Sequence, residues 1–396
     1  MKRNALHFLT TLLLVLPAAN LKAQNCNTTN DLLSIPGSLQ DHTKTPIGGG
    51  TFSVTEKPVG MKILIAAENL CKKRFVLKGG EAKSWFSIRE SEKLDLYKHQ
   101  EYQYKIGFYQ HVCVNGSKLN SSEYTVDFTI NANTPFKEML RMPDRYNEVF
   151  FYEDNKKYGS SYISLFRYFI LKDTEADKIS SGNGYTVNHQ GNNFTAHTDV
   201  YYNWYITKPG TQLLSVVTRK EYLNSLLEFY ERENNFLSAN YTARLAEAKR
   251  YMEEYEKSGN KAMYNSHKED KEQFEIKLRE LASIINLKKQ QVEQVLKTES
   301  SNWLQTAATL DPGNYDCFNK TTKDCFNFNS FYTGPLAETV YKWNPELVKQ
   351  SANQPAKPLF FKVQFRFKAG EVFSDAIMNT FVEKFDFDGL RRLLND

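Results

Sequence analysis

The chain has 396 residues, with 51 Lys and Arg against 46 Asp and Glu, 41% hydrophobic residues and five cysteines. This composition excludes an intrinsically disordered chain, a collagen-like chain and a small protein held together by disulfides. At roughly 100 to 200 residues per domain, the length suits two or three domains, each with its own core.

The first 23 residues have the pattern of a secretory signal peptide. Lys2 and Arg3 make a positive start, residues 5–19 are mostly apolar, and Ala23 is a small residue at the cleavage point. Cleavage removes three cations, which lowers the formal charge from +5 to +2. We therefore expect an exported protein, in the periplasm, at the cell surface or outside the cell, with no transmembrane segment in the mature chain. The sequence lacks the basic stripe with interleaved aromatic residues that is typical of nucleic-acid binding, so we predict no nucleic-acid partner.

Cysteines in an exported chain favour disulfides. Cys317 and Cys325 lie in a stretch rich in Asn, Asp, Gly and Thr, where a bridge would hold a loop with little core. Cys71 and Cys113, both beside strand-like segments, form the second predicted pair. Cys26 is then left near the mature N-terminus or replaces one member of that second pair. No nearby histidine or third cysteine completes a zinc site at the Cys317 loop.

Residues 45–135 predict antiparallel strands. Between Tyr102 and Val114, apolar residues alternate with polar ones, which predicts a half-buried strand with His111 on its polar side. Asn115-Gly116 then fits a type I′ turn, and a return strand follows from Tyr124. Further strands of this sheet are predicted at Gly60 (GMKILIAA), Arg74 (RFVLK) and Ser84 (SWFSI).

A second strand group begins after a linker near residues 135–145, which either divides two subdomains or is a short helix inside one. Pro209-Gly210 has the residue order of a type II turn. The strands of this group are predicted at Glu148 (EVFFY), Ser161 (SYISLFRYFIL), Asp199 (DVYYNWYIT) and Gln212 (QLLSVV).

From Thr218 the hydrophobic period becomes helical. Thr218 and Glu221 form a capping box, and an apolar seam with coiled-coil spacing runs from Leu223 to Tyr255. Ser258-Gly259-Asn260 interrupts it, and a second seam runs from Phe274 to Val295. Residues 219–299 contain 15 basic and 15 acidic residues. This pattern predicts a neutral antiparallel hairpin that projects from the β body, with arms of about 40 residues, or about 60 Å.

After Trp303 the chain returns to β structure. In LFFKVQFRFK, from Leu359, apolar and polar residues alternate, and a lone strand needs partners, so we expect it to pair with strands that precede Thr218. A C-terminal helix with Ser374 as N-cap follows. The predicted fold class is α+β, a mostly antiparallel β body with a long α-helical hairpin inserted before the C-terminal strand. The predicted regions are 1–23, 24–217, 218–305 and 306–396.

Catalytic signatures such as GxSxG, HExxH, GxGxxG and CxxC are absent from the sequence. His197 and Asp199, with His189, are the best candidates for metal or acid–base chemistry, but a solvated or mutually hydrogen-bonded pair is the simpler interpretation. Asp386 and Asp388 match only a fragment of a calcium loop. We therefore predict no catalytic residues, no metal site and no cofactor.

Aromatic residues make up 14% of the chain, including 23 tyrosines, and such side chains cover sugar rings or protein interfaces. The densest group is in DVYYNWYIT, where strand alternation puts Tyr202 and Trp204 on one face and Tyr201 and Tyr205 on the other. These four residues form the predicted binding patch. Burial of both faces is the simpler alternative.

Three segments carry a resemblance to a known group of proteins: the signal peptide ending in Ala-Gln, YQYKIGFYQHVCVNG, and VVTRKEYLNSLLEFYERE. Together they make the chain similar to exported proteins of Bacteroidota, over about half of its length. The resemblance implies an envelope or extracellular setting and assigns no catalytic residues. We expect a non-enzymatic binding or assembly protein with an envelope protein or glycan as partner; the alternative is a secreted hydrolase acting on glycan or peptide.

Overall fold

The computed structural model describes residues 26–44, 50–73, 75–89, 100–124, 126–134, 168–171, 174, 176–177, 185–189, 199–311, 328–368 and 370–395. The helices are a 3₁₀ helix Thr29–Leu32, α1 Lys57–Lys73, α2 Arg219–Ser258, α3 Lys261–Thr298, α4 Ser301–Leu304, α5 Pro345–Asn353, α6 Val372–Ile377, a π-helical turn Met378–Val382 and α7 Phe387–Arg392. The strands are β1 Leu39–Asp41, β2 Gly80–Ile88, β3 Tyr102–Val114, β4 Ser117–Asn120, β5 Val126–Ala132, β6 Tyr168–Leu171, β7 Tyr185–His189, β8 Asp199–Ile206, β9 Leu214–Val216, β10 Thr309–Leu310, β11 Glu338–Trp343 and β12 Phe361–Lys368.

These elements confirm the predicted α+β class with a mostly antiparallel β body and a long helical hairpin. Several predicted features lie outside the described residues. They are the signal peptide, the Cys317–Cys325 bridge, the strand at Glu148 and the linker near 135–145.

An eight-stranded sheet forms the main body, in the order β1-β2-β3-β5-β12-β8-β7, with β4 added to β3. Only the short β1 is parallel to its neighbour. The predicted turn after β3 is confirmed, because Asn115 and Gly116 both have positive φ, 51° and 77°, as a type I′ turn requires. The return is in two parts, since β4 pairs with the end of β3 and β5 pairs with its first half.

The predicted strand at Gly60 is wrong, because this segment belongs to helix α1. Its buried residues Ile63, Leu64, Ala67 and Cys71 follow a helical period and face the sheet. A short apolar run such as KILIAA fits a strand or a helix equally well by hydrophobicity. The strand predicted at Arg74 is also not formed, since residues 75–79 make only an isolated bridge from Lys78 to Pro36.

One face of the eight-stranded sheet is covered by α1, α6, the π-helical turn and α7. Their apolar side chains join the sheet in one core, where the rings of Phe128 and Phe381 lie 5.1 Å apart. The predicted N-cap at Ser374 is wrong, because α6 begins two residues earlier with Glu371 as N-cap. Ser374 is instead buried inside that helix.

The strand from Phe361 confirms that the chain returns to its first sheet. β12 pairs with β5 on one side and β8 on the other, and both of these strands precede Thr218. The chain leaves this sheet at the predicted turn, where Gly210 has φ 73° and Thr211 donates a backbone hydrogen bond to Lys208. β9 then belongs to a second sheet with β11 at its centre. On one side β11 pairs with β6, and on the other side it pairs with β10 and, further along, with β9.

The two long helices form the predicted hairpin. Thr218 accepts the predicted capping hydrogen bond from the Glu221 backbone, Gly259 ends α2 in the left-handed conformation, and Asn260 caps α3. The seam of α3 is most buried at Leu281, Ile285, Lys288 and Val292. Its one charged member forms a buried ion pair, with the Lys288 ammonium 3.1 Å from a Glu233 carboxylate oxygen.

Among the described residues, the hairpin packs on the second sheet at its base. There, Leu223, Phe229, Ile285 and Val340 are members of one apolar cluster. Within residues 241–280, all of which are described, Ala248 alone is buried. The distal arms therefore rest on each other and extend as a two-helix rod, as the sequence predicted.

The predicted pair Cys71–Cys113 is wrong, and the alternative in which Cys26 takes the place of Cys71 is correct. Cys113 forms a disulfide with Cys26, across 87 positions of sequence. Because the segment at Gly60 is a helix, Cys71 points into the core, where it is fully buried as a free thiol. Cys113 lies near the end of β3, where its backbone donates a hydrogen bond to Thr29 beside Cys26.

His111 is buried although alternation along β3 put it on the polar side. It is 1% exposed, and neither ring nitrogen has a hydrogen-bond partner among the described residues, while Val114 is 44% exposed. Burial lowers the pKa of His111 from its ordinary 6.5, Lys118 lowers this pKa further, and Glu81 partly offsets the shift.

We expect acid to destabilise the protein through His111. The unfolded chain takes up a proton at this residue below pH 6.5 while the folded chain keeps the ring neutral, so the free energy of unfolding falls from pH 6.5 down to the lowered pKa. Thermal unfolding at pH 7.5 and 5.5 should show a smaller loss for His111→Leu than for the wild type. Equal losses in the wild type and in His111→Leu would contradict the assignment of this acid sensitivity to His111.

Candidate functional site

The predicted aromatic patch is divided between two environments. Strand alternation in β8 is as expected, but Tyr202 and Trp204 lie on the helix-covered face, where Tyr202 stacks on Phe367 at 5.5 Å and Trp204 packs on Phe387 at 5.2 Å. Tyr205, on the opposite face, is 1% exposed. Of the pair on this opposite face, Tyr201 alone is half-exposed.

The face of the large sheet opposite the helices is polar. One end of it is closed, since Tyr205 packs on Phe360, which stacks on Trp343 of the second sheet at 5.2 Å. The buried polar residues toward this end include Asn131, Lys362 and Asn203. The other end of this face is half-exposed.

A group of seven residues at the half-exposed end is here named the Tyr124 cluster. It consists of Lys83, Trp85, Lys105, Tyr109, Tyr124, Asp127 and Arg366. The strand register brings its charged members together, because Lys83 pairs with Gly107, Gly107 with Asp127, and Asp127 with Arg366. Tyr201 continues the same row on β8 as the partner of Arg366.

Gly107 makes room for the central ring of the cluster. A Cβ at this position would lie 2.9 Å from Tyr124 Cγ and 3.1 Å from Trp85 Cη2, closer than side chains normally approach. The absence of a side chain therefore lets the Tyr124 ring lie over the β3 backbone. Trp85 and Tyr109 flank this ring, with centroids 5.7 and 5.8 Å away.

Cations hold the cluster together. An Asp127 carboxylate oxygen forms ion pairs with Arg366, whose Nε is 2.8 Å away, and with Lys105, whose Nζ is 3.5 Å away. Lys105 also donates to the Tyr124 hydroxyl at 3.2 Å, and its ammonium lies 4.7 Å from the centre of that ring. Burial opposes the charge of Arg366, but Asp127, Tyr201 and Asp199 together outweigh burial and raise the pKa of the guanidinium. The aromatic rings are thus fixed in orientation by charged neighbours.

Sequence reasoning missed this cluster. Tyr124 was predicted to be the first residue of the return strand, whereas it precedes β5 and its ring lies over the polar face of the sheet. The usable signal was the glycine inside a long strand, which marks close approach by another group. The cross-strand partners of Gly107 depend on register, which the sequence of β3 alone does not show.

A second group of charged residues ties β1 to α1. Lys72 Nζ lies 2.7 Å from Asp41 and 2.5 Å from Glu68. Burial raises the pKa of Glu68, whereas hydrogen bonds from Lys72 and Thr43 outweigh burial and lower the pKa of Asp41. Two carboxylates with divergent pKa values are a pattern of acid–base sites. Here the Lys72 ammonium binds both carboxylates, which makes a structural tie.

The candidate metal and acid–base residues have different outcomes. His197 and the side chain of His189 lie outside what the structure describes. Asp386 caps α7 by accepting a 2.7 Å hydrogen bond from Gly389, and Asp388 pairs with Arg391, so both carboxylates have structural roles. In the described part of the chain, no three His, Cys, Asp or Glu side chains come together as a metal site.

Comparisons with known proteins do not assign a function to the chain. No helix in the described ranges has the length and apolar character that membrane crossing requires. No protein-family model, curated protein or solved structure matches the chain.

Proposed function

We propose that the chain is an exported, non-enzymatic binding or assembly protein of the bacterial envelope, and that the Tyr124 cluster is its ligand contact. The observation that carries this proposal is the row Lys83, Gly107, Asp127, Arg366 and Tyr201, which crosses five strands on one half-exposed face. Rings and charges fixed on a sheet are preorganised, and preorganisation lowers the entropic cost of binding.

The disulfide supports the exported setting. Bridges form and persist in oxidising compartments, and the Cys26–Cys113 bridge ties the beginning of the described chain to β3. Cys71 is shielded from such chemistry because it is fully buried. For the three described cysteines, a bridge together with a protected thiol agrees with folding outside the cytoplasm.

The proposal is tested by capture from envelope extract. The mature chain, residues 24–396, is immobilised beside the variant Trp85→Ala/Tyr124→Ala and the control Tyr251→Ala/Tyr255→Ala, which removes two half-buried tyrosines of the distal hairpin. Bound protein and glycan are quantified after the fold is checked by circular dichroism. We expect the wild type and the hairpin control to capture the same material and the cluster variant to lose most of it. Equal capture by all three would contradict the assignment of the cluster.

A further inference from the structure

We infer that acid opens the short strand β4 and thereby releases the ligand contact at the Tyr124 cluster, with His111 as the proton sensor. The inference rests on the proposed function and names the regulation of the same site. His111 lies on β3, two residues beyond Tyr109 of the cluster, so strand alternation puts both side chains on the same face of the sheet. The sensor is therefore next to the ligand contact.

The imidazole of His111 is enclosed without a hydrogen bond. The residue is 1% exposed, and neither ring nitrogen has a hydrogen-bond partner in the described part of the chain. A buried polar group without a partner costs free energy, and a buried charge costs more. Exposure of the ring therefore lets it bond to water and, in acid, take up a proton.

Two described charged side chains act on this ring, one from each neighbouring strand. Lys118 on β4 repels a protonated imidazole, whereas Glu81 on β2 attracts it. Asp31, the acidic residue of the 3₁₀ helix, instead accepts hydrogen bonds from the backbone of its own first turn. Burial and Lys118 together outweigh Glu81, so the pKa of His111 is lowered while β4 is in place.

β4 is the neighbour of His111 that is most easily displaced. β2 pairs with β3 along nine residues, and the 3₁₀ helix is tied to β3 by the disulfide. β4 has four residues, and the last of them, Asn120, lies opposite His111. Beyond this pairing, Asn120 donates a side-chain hydrogen bond to Glu81 at 2.8 Å, and the Ser121 backbone donates to Gln110 at 2.8 Å. A short strand held by so few bonds opens more readily than a strand inside the sheet.

The opening of β4 reaches the cluster through the chain itself. Tyr124 is four residues after Asn120, and the connection between them is turned, with the Ser121 hydroxyl donating to the Glu123 carbonyl at 2.9 Å. When β4 moves, this connection moves with it, and the Tyr124 ring leaves its place over Gly107. A ring without this fixed orientation is no longer preorganised for binding.

Hydrogen exchange of the mature chain at pH 7.5 and 5.5 measures the opening, with protection factors corrected for the intrinsic pH dependence of amide exchange. The open form takes up a proton at the ordinary pKa of 6.5, so its population should rise up to about tenfold between these pH values. Protection of residues 117–121 should be lower than that of β12 at both pH values, which shows local opening, and should fall by this factor in acid. His111→Leu should remove the dependence on pH, and His267→Gln, in the distal hairpin, should keep it.

Capture from envelope extract then connects the opening to the site. We expect the wild type to release most of the captured material at pH 5.5 and His111→Leu to retain it. If protection of β4 does not depend on pH, or depends on it equally in His111→Leu, His111 is not the sensor. If β4 opens in acid while captured material stays bound, the opening does not control the site. In both cases the proposed function stands. Equal capture at pH 7.5 by the wild type and Trp85→Ala/Tyr124→Ala defeats the proposed function, whereas the exchange measurement still decides whether His111 opens β4.

Discussion

Lys288→Met is expected to lower the free energy of unfolding by about 3–5 kcal/mol, the usual cost of removing one partner of a buried ion pair. Glu233 and Lys288 are almost completely inaccessible, with side chains 0% and 2% exposed, and both carboxylate oxygens lie within 3.2 Å of the ammonium. The same ammonium lies 5.4 Å from the centre of the Tyr230 ring. In Lys288→Met, the buried Glu233 carboxylate at the base of the hairpin no longer has this ammonium group beside it.

The neighbouring lysine provides a matched control. Lys289 pairs with Glu231, whose side chain is 58% exposed, so Lys289→Met should cost less than about 1 kcal/mol. The double variant Lys288→Met/Glu233→Leu should recover most of the loss, because two apolar side chains replace two buried charges. Urea unfolding followed by helical circular dichroism measures all three. Similar small losses for Lys288→Met and Lys289→Met would show that the buried pair does not form.

Cys26→Ser/Cys113→Ser is expected to destabilise the protein by about 2–5 kcal/mol. The bridge spans 87 positions, and a cross-link over a loop of this length removes much conformational freedom from the unfolded chain. It also holds the 3₁₀ helix against β3, so the variant should expose the N-terminal segment to proteolysis. Thermal unfolding and limited proteolysis at neutral pH measure both effects.

Reduction supplies the control for the bridge. Dithiothreitol should lower the melting temperature of the wild type to near that of the double serine variant, while the variant itself should change much less. A peptide map of unreduced protein should contain Cys26 linked to Cys113, with Cys71 alkylated only after unfolding, because it is buried. A link from Cys71 to Cys113 would contradict the structure.

Much of the fold could be predicted because its long elements have clear periods. In β3 and β12, hydrophobic residues recur at every second position, and in α2 and α3 they recur about every 3.5 positions. Each of these patterns is compatible with only one type of secondary structure that buries the apolar residues on one side. Gly210 and Gly259 mark ends of elements where only positive φ fits. The return of β12 to the first sheet also followed from the sequence, because a single strand requires hydrogen-bonded neighbours.

The incorrect predictions concern segments whose residues are compatible with two different structures. The run after Gly60 is apolar enough for a strand and periodic enough for a helix, and that choice decided whether Cys71 faced the core or a partner cysteine. His111 shows the limit of alternation, since burial near the end of β3 does not follow the parity of its first half. The Tyr124 cluster joins residues from four segments that only register places side by side.

The second sheet and the helical hairpin are inserted between β8 and β12, two neighbouring strands of the larger sheet. This point of insertion has a topological consequence. Ile206 ends β8 and is the register partner of Phe361, which starts β12, so the two ends of the intervening region are about 5 Å apart. An ordinary hairpin turn bridges such a gap. The region between can therefore change in length without altering the spacing between β8 and β12.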